Sequence, residues 1–160
     1  MPLFEHEYSV VTKDGQGKRT RLSNQASLAR LGPVLQVAIS VTPEHAVIMA
    51  ERGAEVPSPI SGLALIDTGA SITAVDENVC RHLNLAPTDS ILMSHAGGQE
   101  TRECFPVQIM FPGTPLPPVA NPRVVSCKLD APQILLLGRD LLSLMKFVYN
   151  GPQGRIEIAF

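Results

Sequence analysis

The chain contains no tryptophan, two tyrosines and five phenylalanines in 160 residues. With so few aromatics no platform of rings is interleaved with basic residues. A formal net charge of −2 gives no electrostatic footprint for nucleic acid either. Cysteine is equally scarce. Cys80, Cys104 and Cys127 are odd in number and far apart, form no CxxC pair and have no histidine at metal-ligand spacing. That excludes a disulfide-stapled scaffold and a zinc ribbon. It leaves three free thiols acting as small core residues in a reducing compartment, so a cytoplasmic location is expected. No apolar run approaches the ~18 residues of a membrane-spanning helix, and the first residues lack the apolar segment of a signal peptide. His6, His45, His82 and His95 fall at spacings that match no metal or hydrolase motif. No metal and no cofactor are expected.

Fourteen prolines and twelve glycines, with few long periodic segments, favour strands and turns over a helical bundle. At 44% hydrophobic and 18% charged, the chain suits one soluble domain with a proper core. Residues 1–31 read as an N-terminal arm, mobile or folded as a hairpin around Asp14-Gly15-Gln16-Gly17, and 32–160 as the main domain. Val34–Val41 has strand character, and Pro43–Arg52 suits a short helix stopped by Gly53. Asp76 is placed to cap a helix carrying Val79, Cys80 and Leu83. His45 and His82 read as solvated. Ile91–Phe111 reads as a hairpin whose tip holds Gly97 and Gly98. Pro112–Pro122 reads as a stiff surface loop, and Arg123–Leu129 as another strand. The chain closes on a hairpin, with Ile156, Ile158 and Phe160 on one face of the final strand.

The densest chemistry lies in Ala64-Leu65-Ile66-Asp67-Thr68-Gly69-Ala70-Ser71. An apolar strand runs straight into a carboxylate, which is costly to bury unless hydrogen bonds or chemistry compensate it. Thr68 supplies a hydroxyl, and Gly69 permits a sharp turn and close approach of another molecule. Locally, the same residues read as a strand and an Asx turn in which Asp67 caps its own loop. A second pattern follows at Gln133-Ile-Leu-Leu-Leu-Gly-Arg-Asp140. Its four apolar residues suit a strand buried on both faces, Gly138 ends the strand, and Asp140 is placed to cap the helix starting at Leu141.

In this order the two segments resemble the active-site loop and second signature of retropepsins, the retroviral-type branch of aspartic proteases. Ala70 follows the motif glycine as it does in that branch. The resemblance spans Val34 to Phe160, leaving 1–31 and the 43–61 insertion outside it. It implies an all-β chain with one or two short helices, a closed acid-protease barrel with one lobe per chain. Asp67, Thr68 and Gly69 would be the catalytic loop, with Thr68 bonded to a partner loop. Ala70, Ser71, Gly97 and Gly98 would meet substrate, the two glycines from a flap. Gly138, Arg139 and Asp140 would support the loop structurally. Retroviral members carry an Asp where Ser71 stands, paired with the arginine, so Arg139 needs another partner here. Pepsin-like enzymes carry a hydroxyl residue where Ala70 stands, and its loss points to a rate optimum at milder acidity.

Peptide hydrolysis by carboxylates needs two of them to share a proton, one activating water while the other polarises the carbonyl. The chain holds one Asp-Thr-Gly and no internal repeat. A protease would therefore be a homodimer acting on polypeptide substrates, completed across a two-fold axis. The alternative is a non-catalytic peptide-binding or assembly module on the same fold. A serine nucleophile at Ser71 finds no His/Asp arrangement to activate it.

Overall fold

The computed structural model describes the whole chain except Ala96, Gly97 and the side chain of His95. Gly97, expected at the flap tip, therefore lies outside the described residues. In chain order the elements begin with β1 (Leu3–Glu7), the hairpin β2 (Val11–Lys13) and β3 (Arg19–Arg21), and α1 (Asn24–Leu31). Next come β4 (Val34–Ser40), α2 (Pro43–Glu51), β5 (Ile60–Ile66), β6 (Ala74–Asp76) and α3 (Glu77–His82). The long hairpin β7 (Asp89–His95) and β8 (Gly98–Met110) leads to β9 (Val119–Cys127) and β10 (Gln133–Leu137). Helix α4 (Arg139–Leu142), β11 (Lys146–Asn150) and β12 (Arg155–Ala159) complete the chain.

Six strands close on themselves in the order β4-β5-β10-β6-β9-β8, with β4 pairing back to β8 from Ala38↔Met110 to Ser40↔Gln108. Closure leaves those six strands no open edge for another chain to pair with, and only β7 extends the sheet outward. Strands β5 and β10 run parallel, as do β6 and β9. Alternation sends Val37, Ile39, Val75, Val107, Ile109, Leu135 and Leu137 into the barrel, each at most 1% exposed. Burial of each such side chain contributes about 1.5–3 kcal/mol. The expected mainly β, closed-barrel architecture is what the chain adopts, with four short helices among the described residues where one or two were expected.

Local chemistry accounts for the helix starts. Ser23 accepts from the Ala26 amide, Thr42 from the His45 amide ahead of Pro43, and Asp76 from the Asn78 amide. Strand β9 starts earlier than expected, at Val119, and absorbs part of the proline-rich stretch. Its ladder to β8 slips between Phe105 and Val107, which face Val124 and Asn121. Pro106 and Pro122 both fall in that bulge, where the missing amides cost no ladder bond.

A second sheet orders β1-β12-β11. Ile156 and Ile158 of β12 are buried against the barrel core. The first 31 residues supply β1, the β2–β3 hairpin and α1. Tyr8 is 1% exposed, and its hydroxyl donates to the Val34 carbonyl at the start of β4. Helix α1 buries Ser27 and Leu28.

Candidate active site

Strand β5 is flanked by β4 on one side and β10 on the other, and its register carries Ile66 beside Leu137. Ladder bonds continue past its end. The Ile66 amide donates to Pro33 O at 3.0 Å and the Asp67 amide to Leu137 O at 3.0 Å. Asp67 thus leaves the barrel from a rigid parallel pair, half-buried, while Thr68 and Gly69 are exposed.

The carboxylate is held by its own loop. Oδ1 of Asp67 accepts from the amides of Gly69 at 2.8 Å and Ala70 at 3.3 Å. A side chain at Gly69 would place its Cβ 3.0 Å from that oxygen, so a residue without one lets the amide approach. The other carboxylate oxygen and the Thr68 hydroxyl have no hydrogen-bond partner among the described residues. The Asx turn is therefore present, and it leaves half of the carboxylate available.

The second pattern lies directly against this loop. The Arg139 amide donates to Ala70 O at 3.0 Å and the Asp140 amide to Ser71 O at 3.2 Å. Gly138 passes so close to the Ile72–Thr73 peptide that a Cβ would sit 2.6 Å from Ile72 C and 2.8 Å from Thr73 N. Arg139, which lacks the acidic partner of retroviral members at Ser71, donates from Nη1 to Thr68 O and Gly69 O. It therefore braces the turn through the backbone.

Asp140 does not cap α4. The cap position belongs to Gly138, which makes no side-chain cap bond. The Asp140 carboxylate turns inward instead. Its Oδ1 accepts from Thr73 Oγ1 at 2.7 Å and Thr73 N at 3.0 Å, and its Oδ2 from Asn121 Nδ2 at 3.2 Å. Thr73 Oγ1 also accepts from the Gly138 amide at 3.1 Å, and Asn121 Oδ1 from the Arg123 amide at 2.9 Å. Thr73 is fully buried and Asn121 nearly so. Sequence reasoning misses both, because a threonine in a strand and an asparagine in a proline-rich stretch carry no motif.

The β7–β8 hairpin extends from the same barrel, with Met93 opposite Glu100 and Ser94 opposite Gln99. Gly98 is exposed at φ +125°, and no hydrogen bond among the described residues links it to the Asp67 loop. A small apolar cluster includes Ile72, just after the loop, and Met93 of the hairpin. Ala74, Cys104 and Val125 form its buried part, with Ile72, Met93 and Leu136 half-buried against them. Two cavities of about 370 and 470 Å³ lie elsewhere, and Asp67 lines neither. Thr68, Gly69 and Ser71 beside Asp67 are exposed. Among the described residues no group of three His, Cys, Asp or Glu side chains is placed to hold a metal ion.

Among the solved structures similar to this chain are two proteases. The EIAV protease complexed with an inhibitor shares 19% identity over 69% of this chain and 85% of its own, with a TM-score of 0.43. A retropepsin-like aspartic protease from Rickettsia conorii shares 15% identity over 98% of this chain and 90% of its own, with a TM-score of 0.45. The likeness is one of fold. No protein-family model and no curated protein sequence matches the chain.

Proposed function

We propose that the protein is an aspartic endopeptidase that works as a homodimer. What carries this reading is the state of Asp67. Its carboxylate stands half-buried at the end of a rigid strand, with one oxygen fixed by two amides and the other unengaged. A loop built so tightly around a single acid suits chemistry more than turn formation. The nearest acid of the second pattern, Asp140, is engaged by Thr73 and Asn121, so one chain offers half of a proton-sharing pair.

In the dimer, Asp67 of one protomer meets Asp67 of its partner. One carboxylate takes a proton from water as general base, and the other, protonated, donates to the carbonyl of the scissile peptide. The water oxygen bonds to that carbon, and the C–N bond breaks as the amine leaves with a proton. Thr68, whose hydroxyl is exposed, bonds across to the partner loop. Ala70, Ser71, Gly97 and Gly98 contact an extended substrate through its main chain, as in strand addition. The apolar wall of Ile72, Met93 and Leu136 favours apolar side chains beside the cleaved bond.

The test places wild type beside Asp67→Asn with a mixed peptide library across pH, and measures mass by sedimentation. Expected are cleavage by wild type alone, with a maximum at mildly acidic pH, and rates that fall on dilution as dimers dissociate. Cleavage by both proteins refutes the mechanism. Cleavage by neither, with a monomeric mass, marks a non-catalytic module on the same fold.

A further inference from the structure

The β2–β3 ribbon stands apart from the core that explains the other strands. Val11, Lys13, Arg19, Thr20 and Arg21 are exposed and only Thr12 is half-buried. A two-stranded ribbon that packs so little is marginally stable by itself. Its register adds a cost. Lys13 stands opposite Arg19 and Val11 opposite Arg21. Alternation therefore gathers Val11, Lys13, Arg19 and Arg21 on one face. Like charges directly opposite one another destabilise an antiparallel pair.

Lys18 adds a fourth cation at the turn. The carboxylate there, Asp14, is engaged by the amides of Gln16 and Lys18, each at 2.9 Å. Four of the 13 Lys and Arg residues thus fall within positions 13–21 of a chain whose net charge is −2. None of the four makes an ion pair among the described residues, and Arg21 reaches Ser9 Oγ at 2.9 Å. Elsewhere Arg81, Arg102, Arg123 and Arg155 have carboxylate partners, while Arg30, Arg52, Lys128, Arg139 and Lys146 make no ion pair among the described residues, so what distinguishes the ribbon is the clustering of its cations.

We propose that this face of the ribbon docks the protein onto an anionic lipid surface. Negatively charged head groups offset the repulsion between Lys13 and Arg19. Val11, 57% exposed on the same face, enters the head-group boundary, as apolar side chains do beside cations in interfacial segments. Each basic residue adds attraction that fades within a Debye length of the surface. A nucleic acid would use the cations but not Val11, and the ribbon offers no aromatic ring for a base to stack on.

The experiment sediments the full chain with vesicles rich in phosphatidylserine and, separately, with vesicles of phosphatidylcholine alone. Binding to the anionic vesicles is expected to exceed the neutral ones at least about tenfold near 0.1 M salt, and to vanish near 0.5 M. Lys13→Glu turns the like-charge pair into an opposite-charge one. It should weaken vesicle binding at least about tenfold while strengthening the ribbon, so unfolding cannot account for the loss. Val11→Ser should weaken vesicle binding and leave binding to a DNA duplex unchanged. Equal recovery with both vesicle types overturns the proposal, as does undiminished binding by Lys13→Glu. Tighter binding to a duplex than to anionic vesicles, at matched phosphate and salt, also overturns it.

Discussion

Arg139 donates from Nη1 to the carbonyl oxygen of Thr68 at 2.7 Å, across 71 positions of sequence. The same nitrogen lies 3.1 Å from Gly69 O. One cation therefore fixes two successive peptide planes of the loop, and with them the direction in which the Gly69 and Ala70 amides aim at Asp67. Lysine keeps the charge but exchanges the planar guanidinium, whose Nη1 hydrogens point in fixed directions, for a freely rotating ammonium on a flexible stem. Arg139→Lys and Arg139→Ala should each slow peptide hydrolysis at least about tenfold, because the carboxylate loses its fixed aim. Since the Arg139–Thr68 bond is exposed, Tm should fall by no more than about 5 °C. Initial rates beside a thermal melt check this, and unchanged rates would remove Arg139 from the site.

Asp140 and Asn121 form a directional pair. Asp140 Oδ2 accepts from Asn121 Nδ2, while Asn121 Oδ1 is committed to the Arg123 amide. Asp140→Asn sets two donors face to face and should cost about 1–3 kcal/mol. Adding Asn121→Asp restores one donor and one acceptor, so the double variant should recover at least half of that loss. Chemical denaturation of the four proteins in the cycle measures the coupling. Simple additivity would mean that the two residues do not communicate.

Gly138→Ala should be among the most damaging single changes in the chain. The added Cβ meets backbone atoms of Ile72 and Thr73, which cannot rotate away as a side chain could. A loss of at least about 3 kcal/mol is expected, with activity lost alongside, since the Asp67 loop is bonded to the same crossing. A denaturation midpoint close to wild type would show that this crossing is softer than its contacts imply.

Burial first, and the nearby Asp76 carboxylate second, push the Cys80 thiol up to about 12 and the Cys127 thiol up to about 11. Burial also drives the Tyr8 phenol above its usual range. The folded state thus keeps protons that the unfolded chain gives up above about pH 9. With fewer protons bound in the unfolded state, stability falls as pH rises from about 9 towards 12. Denaturant midpoints should drop steadily over that range, and Cys80→Ala should flatten the decline. Iodoacetamide at pH 8 should modify Cys80 at least about a hundredfold more slowly than a free thiol. Rapid labelling of the native protein would contradict this.

What could be read in the sequence was local. The apolar run into Asp67, the helix opened by Pro43, the cap at Asp76, the apolar Ile134–Leu137 strand and the terminal hairpin each announce themselves within a few residues. What escaped is relational. Arg139 satisfies backbone carbonyls, which leave no complementary residue type to find. Asp140 sits where a helix cap belongs, yet its carboxylate is claimed by Thr73, 67 positions away. Asn121 is hidden by the prolines around it, which suggest a loop where β9 already runs, with its bulge at Pro122 just beyond. Pairing of β1 with β12 joins the two extremes of the chain, and no window of sequence contains both.

That last pairing has a practical side. The Phe160 amide donates to Pro2 O at 3.3 Å, so residues at opposite extremes of the numbering emerge side by side. Anything fused to either end will crowd the other, and a short linker could splice the two. The chain could then be opened afresh at an exposed loop such as 52–59 with its hydrogen-bond ladders intact.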